Sequence, residues 1–244
     1  MPSKLSLTAA FEYAGSQLLT RGGALLAGVY LLYQLVTQVA FQSLVSTYLA
    51  AKIPAEQVAR VYPLAVDLPT PVAAAATLVL LPFGTFLGIV AIRALYRNVD
   101  DVPTADHLRR PLRTLVVTLA VTLVVSVAIF VGFALLVLPG IFLAVSLAFA
   151  VPAVVIEDAG VVEALKRSWS LASGNRLRLF ALGFVLVVVS GFVGAAFQFL
   201  SLAYPLAASV TSALLTGLIS LFGIALLVGA YRQLAGAAST VGAL

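Results

Sequence analysis

The sequence has no cysteine, one methionine, one tryptophan and one histidine, and only 9% of its 244 residues are charged. Each scarcity excludes a chemistry. Without cysteine there is no disulfide framework, no thiolate metal site and no iron–sulfur ligation. With His107 alone, neither a histidine pair for a metal nor a Ser–His nucleophile site inside a bilayer can be assembled. No catalytic residue, metal ligand set or cofactor motif stands out, and the expectation is a protein that is not an enzyme. The charged share is far below the roughly 25% of soluble domains, whereas hydrophobic residues make up 62%. That balance belongs to a chain built into a lipid bilayer. The net charge of +5 does not point to nucleic acid, because the basic residues are scattered at the ends of apolar stretches.

A spanning helix needs about 20 predominantly apolar residues at 1.5 Å each. Six stretches meet or approach this, at about 24–49, 72–92, 114–138, 141–156, 179–203 and 206–231. The expected fold is all-α: one integral membrane domain over 1–244, with six transmembrane helices and short amphipathic interfacial helices. Leu138-Pro139-Gly140 is read as the turn between the third and fourth spans, since an uninterrupted helix over 114–156 would be about 64 Å long against a hydrocarbon core of about 30 Å. Tyr204-Pro205 is read the same way for the last pair. The segment 50–71, with Pro54, Pro63, Pro69 and Pro71, is the one connection with room for structure of its own. Pro82 is expected to kink the second span and Pro152 to end the fourth. Met1 to Gly23 carries Lys4, Glu12 and Arg21 without an apolar core before them, so no cleavable signal is expected there.

Orientation follows from the lysines and arginines of the connections. If the N-terminus is cytoplasmic, that side receives Lys4, Arg21, Arg93, Arg97, Arg109, Arg110, Arg113, Lys166, Arg167, Arg176, Arg178 and Arg232, and the other receives only Lys52 and Arg60. Twelve against two predicts both termini on the cytoplasmic face of a cell membrane. Two amphipathic segments belong to that face. Over 161–175, Val162, Leu165, Trp169 and Ala172 form an apolar stripe opposite Glu163, Lys166, Arg167, Ser170 and Ser173. Trp169 is the expected interfacial anchor of this helix. Over 5–20, Leu7, Phe11, Ala14 and Leu18 oppose Thr8, Glu12 and Ser16. A shift of 154 residues pairs Ala10 with Ala164, Phe11 with Leu165 and Ser16 with Ser170. This fits either an internal repeat, with Thr104 to Arg113 as a degenerate third copy, or coincidence between similar apolar textures.

The stretch Pro139-Gly140-Ile141-Phe142-Leu143, then Pro152, Glu157, Gly160, and Glu163-Ala164-Leu165-Lys166-Arg167-Ser168-Trp169-Ser170-Leu171 with Gly174-Asn175 and Phe180, resembles a known membrane family. It is similar to the membrane domain attached to some glycerophosphodiester phosphodiesterases and to related stand-alone prokaryotic multi-pass proteins of unknown function. The resemblance implies a six-helix membrane module without established catalytic residues. The soluble phosphodiesterase barrel of the fused members has no counterpart in this sequence.

Two sets of residues are candidate sites. Neutral polar rows run at four-residue spacing: Gln34, Gln38 and Gln42, with Tyr30 and Ser46, in the first span; Thr118, Thr122 and Ser126, after Thr114, in the third; and Ser212, Thr216 and Ser220 in the sixth. They would form a polar groove for a headgroup or small solute, or serve as interhelical hydrogen-bonding groups. The second set, Arg109, Arg110, Arg113, Lys166, Arg167, Arg176 and Arg178, would contact anionic lipid or act through topology and snorkelling. Gly84 with Gly88, Ser190 with Gly194 and Ala225 with Gly229 are spaced for close helix packing. His107, beside Asp100, Asp101 and Asp106, reads as a solvated residue. The expected partners are membrane lipids, anionic ones among them, and other membrane proteins or further copies of the chain. A lipid-contacting or scaffolding protein is the leading reading, and a passive transporter or channel for a neutral or amphiphilic solute is its rival.

Overall fold

A computed structural model describes residues 5–50, 52–97 and 111–241, with side chains to 236. Among them there are helices and no strand: α1 Leu7–Leu18, α2 Arg21–Leu49, α3 Ala55–Val61, α4 Thr70–Tyr96, α5 Pro111–Leu135, α6 Val137–Ser146, α7 Ala150–Glu157, α8 Val161–Ala172, α9 Arg176–Ala203 and α10 Pro205–Val241. Six stretches are long and apolar enough to cross a membrane, namely α2, α4, α5, α6 with α7 over Val137–Glu157, α9, and α10 over Pro205–Gly236. The protein is a multi-pass α-helical membrane protein. Its surface agrees, because Leu78, Leu123, Phe130, Phe192 and Phe199 are exposed, an arrangement that water would penalise and acyl chains would not.

The chain gathers into two compact units. One holds 1–25, 85–186 and 222–244, and the other holds 26–84 and 187–221.

In the first unit Phe149, Tyr231, Val121 and Val154 are fully or almost fully buried. Phe149 and Tyr96 approach the Tyr231 ring edge-on at 5.7 and 6.4 Å. The α5–α6 turn is not where its proline suggested. The chain reverses at Leu136, which is extended at φ −163°, and Pro139 sits in the first turn of α6. There its missing N–H costs nothing, because the first amides of a helix have no intrahelical acceptor. Gly140 serves close packing instead of the turn: a Cβ on Gly132 of α5 would lie 2.9 Å from the Gly140 Cα. Pro152 is likewise displaced from its expected role. It lies in the first turn of α7 and does not end that helix. By clashing with the carbonyl four residues back and lacking a donor, Pro152 accounts for the break at 147–149 between α6 and α7. A buried serine repairs the break: Ser168 accepts from Phe149 N at 3.0 Å and donates to Ser146 O at 2.9 Å. By contrast, α4 continues through Pro82 as one helix.

α8 buries a different face from the stripe read in the sequence. Ala164, Ser168, Leu171 and Ala172 point inward, while Val162 and Trp169 are exposed and Leu165 is half-buried against the core. Its N-terminus is closed by Gly160 N donating to Glu163 at 3.3 Å. Its C-terminus is closed by Gly174 at φ +80°, the left-handed conformation in which glycine is least strained. Both bounds of α8 lie 154 positions after those of α1, and in each case a long apolar helix follows within four residues. The third copy expected from Thr104 to Arg113 falls almost wholly outside the described residues.

In the second unit, Tyr33 of α2 covers Gly84 of α4 and donates to Leu80 O at 3.2 Å. The GxxxG glycine therefore admits a tyrosine side chain in place of a neighbouring helix backbone. The segment 50–71 contains α3 and is held to α2 by side chains. Gln42 accepts from Leu64 N at 2.9 Å, and Ser43 accepts from Val66 N at 2.9 Å.

Candidate functional site

The basic residues separate into those already engaged by the protein and those left to solvent or lipid. Arg178 donates to Leu5 O at 2.7 Å while Asn175 accepts from Leu5 N at 2.9 Å, so the start of α9 holds the N-terminal segment. Gln233 secures the next residue through both Ser6 N and Ser6 O. Arg113 donates to Asp158 O at 3.2 Å. Arg167 grips both carboxylate oxygens of Glu157 at 2.9 to 3.1 Å. Those hydrogen bonds raise its guanidinium pKa further above the ordinary arginine value. Lys166 is exposed. Arg109 and Arg110, with His107 and its aspartates, lie outside the described residues.

Arg176 stands apart. Its guanidinium carbon lies 4.7 Å from the centre of the Phe142 ring and 4.9 Å from that of Trp169. The two rings meet edge-to-face at 5.5 Å, and Nε donates to Ser146 Oγ at 3.0 Å. Phe142 and Trp169 remain 43% and 42% exposed. The result is a half-buried cation seated on two aromatic faces at the surface of the first unit, with Lys166 one turn before Trp169 on α8.

Sequence reading missed a second, internal assembly. Arg93, counted only as a topology signal, is buried. It donates from Nε to Val155 O at 3.1 Å and from Nη2 to Thr114 Oγ1 at 3.0 Å, and Nη2 lies 3.5 Å from Asp158. Beside it Tyr231 donates to Glu157 at 2.6 Å. Tyr13 donates to Leu95 O, accepts from Arg232 at 3.0 Å and packs against Gly229. Burial raises the Tyr13 phenol above its usual pKa, against the opposing effect of Arg232. The available signal was the adjacent acids Glu157 and Asp158 closing an apolar run, since paired carboxylates there require cations from neighbouring helices.

The polar rows are only partly brought together. In the second unit a cavity of about 790 Å³ is lined by Gln38, Gln42, Arg60, Gln198, Ser201, Ser209 and Ser212 among apolar groups that include Phe41, Phe197 and Leu202. Gln34 lies instead beside Gly217. Thr118 is buried in the other unit with no hydrogen-bond partner for its hydroxyl, and Thr122, Ser126, Thr216 and Ser220 are exposed. None of these five lines the cavity. A four-residue step turns about 40° around the axis, so three steps sweep about 120° and carry a row from a buried face to an exposed one.

Fold and site together define a multi-pass α-helical membrane protein with an aromatic-seated arginine at one surface and a polar cavity in its second unit. The chain belongs to the family described as "Domain of unknown function (DUF7847)", which matches residues 5–234. No curated protein and no solved structure matches it.

Proposed function

We propose that this protein is a non-enzymatic cell-membrane protein that contacts lipid, anionic headgroups included, and scaffolds membrane partners, whether other proteins or copies of itself. The observation that carries this reading is Arg176 on Phe142 and Trp169. An aromatic pair with one cation and exposed ring edges suits the headgroup level, where amphipathic rings and guanidinium groups both find partners. The twelve-to-two distribution of lysine and arginine puts this cluster and both termini on the cytoplasmic side in this reading. The likeness of the 139–180 stretch to the membrane domain of glycerophosphodiester phosphodiesterases is taken here as common descent of a membrane module. Nucleic acid, metal and cofactor have no place in the proposal.

The test is native mass spectrometry of the protein from nanodiscs containing phosphatidylcholine and phosphatidylglycerol, counting retained lipids. Each basic group near an anionic leaflet contributes about 1 kcal/mol, roughly a fivefold effect. Arg176→Gln should lower phosphatidylglycerol retention by about that factor, with Arg176→Lys recovering much of it. Equal retention by all three proteins would overturn the reading. A second reading, passive passage of a neutral or amphiphilic solute, is favoured by the glutamine- and serine-lined cavity. Solute flux into proteoliposomes that exceeds protein-free leakage is its test.

A further inference from the structure

The cavity of the second unit contains polar groups that the protein leaves unsatisfied. Gln42 is only 4% exposed, and its carbonyl is taken by Leu64 N, which fixes the amide NH2 as the group left over. No acceptor meets that NH2 among the described residues. Among the described residues the Gln38 and Gln198 side-chain amides also have no hydrogen-bond partner, and Arg60 makes no ion pair. Ser201 and Ser212 donate to carbonyls of their own helices, which leaves only lone pairs for an occupant. Of the three glutamines, Gln42 is buried, Gln38 is half-buried and Gln198 is exposed, so it is the unpaired Gln42 amide that calls for an occupant with a hydrogen-bond acceptor.

The cavity grades from charged to apolar. Among the described residues Arg60 is the sole Lys, Arg, Asp or Glu of its lining, while Phe41, Phe197 and Leu202 supply aromatic and aliphatic wall. Gln38 lies eleven residues before the α2 end at Leu49, about 16 Å along the helix at the standard rise. Polar groups therefore extend from the helix end to a depth normally filled by acyl chains. At about 790 Å³ the space suits one drug-sized molecule, within the 300–1,000 Å³ typical of ligand pockets.

We propose that this cavity binds a single-chain anionic amphiphile, with Arg60 holding the charged head, the Gln42 amide donating to it, and Phe41, Phe197 and Leu202 receiving the chain. This deepens the lipid-contacting reading and rests on it only for the class of ligand, because none of its residues belongs to the Arg176 cluster.

The experiment uses the full chain in phosphatidylcholine nanodiscs with two photoreactive probes, a diazirine-bearing hexadecyl phosphate and the matching uncharged alcohol. Labelled peptides are mapped by mass spectrometry. The alkyl phosphate should label saturably within 38–62 and 197–212. Arg60→Gln should weaken alkyl phosphate labelling about tenfold, as expected for loss of one charge-assisted hydrogen bond, and leave the alcohol unchanged, with Arg60→Lys restoring much of the loss. Ser212→Trp, which fills the cavity, should abolish saturable labelling by both probes. Gel filtration and helical circular dichroism check that each variant is folded. Labelling spread over all lipid-facing helices and indifferent to Arg60→Gln would overturn the proposal. So would full competition by millimolar inorganic phosphate, which would make the site one for a free anion, or failure of any anionic probe to saturate, which would leave water as the occupant. Arg176→Gln should leave labelling unchanged, so this proposal and the lipid-retention reading fail separately.

Discussion

The hydroxyl of Tyr231 and the guanidinium of Arg167 converge on one oxygen of Glu157, at 2.6 and 2.9 Å. The end of α7 is thereby tied to α8 and α10 through a single carboxylate. Tyr231 is fully buried, whereas Glu157 and Arg167 each keep about a third of their side-chain surface, so solvent weakens the ion pair. Tyr231→Phe should cost about 1 kcal/mol, since Arg167 still satisfies the carboxylate. Glu157→Leu should cost more by stranding the buried hydroxyl as well. Reversible unfolding in mixed detergent micelles would measure both, and equal losses would contradict the shared-acceptor geometry.

Gly132 and Gly140 set the approach of α5 to α6. A Cβ on Gly140 would fall 2.5 to 2.7 Å from the Phe133 ring, and one on Gly132 would fall 2.9 Å from backbone. Gly132→Ala should cost about 1–3 kcal/mol, because a backbone contact cannot rotate away as a side chain can. Gly15→Ala, with open space around it, is the control and should be neutral or slightly stabilising through helix propensity.

Gly174 makes a prediction of the opposite kind. Nothing lies within 4 Å of the Cβ it lacks, yet its φ is +80°. Gly174→Ala should therefore destabilise by about 1–2 kcal/mol through backbone strain alone. Gly174→Asn should cost less, because asparagine tolerates the left-handed region. A thermal shift series that ranked alanine above asparagine would refute this account of the α8 C-terminus.

The glutamine row divides by its partners. Gln42→Leu should cost about 1–3 kcal/mol, because it removes the acceptor of a part-buried amide, Leu64 N. Gln38→Leu removes no protein hydrogen bond and should change stability by less than about 0.5 kcal/mol. Denaturation midpoints of the two variants decide the matter, and a larger loss at Gln38 would mean that it is held by structure the cavity does not explain.

Topology can be read directly because the chain has no cysteine to interfere. Single cysteines at Ser16, Gln57 and Ser173 should react with an impermeant maleimide from one side of a sealed vesicle for Ser16 and Ser173, and from the other for Gln57. Labelling of all three from one side would defeat the twelve-to-two reading. Trp169→Glu adds a local probe: loss of the ring under Arg176 should raise hydrogen exchange over 161–172.

Six spans and two short amphipathic helices were legible because burial in lipid imposes a length and a composition that a linear sequence displays without reference to any neighbour. The positions of helix ends were less legible. Pro139 and Pro152 each bar a helix from continuing through them from the N-terminal side, and both a position just past one helix and the first turn of the next meet that condition. Only the packing of Gly132 on Gly140, and the supply of Ser168 to Phe149 N, decided between them. The site followed the same division. The basic and glutamine residues were visible by type, but an arginine on a helix end looks alike whether it faces lipid, as Arg176 partly does, or is consumed by Leu5, as Arg178 is. Arg93 makes the point most sharply. Its charge counts the same for topology whether it is solvated or buried, and only the tertiary structure sets it against Asp158, Thr114 and Val155, because those partners come from helices that the sequence leaves free to pack in many ways.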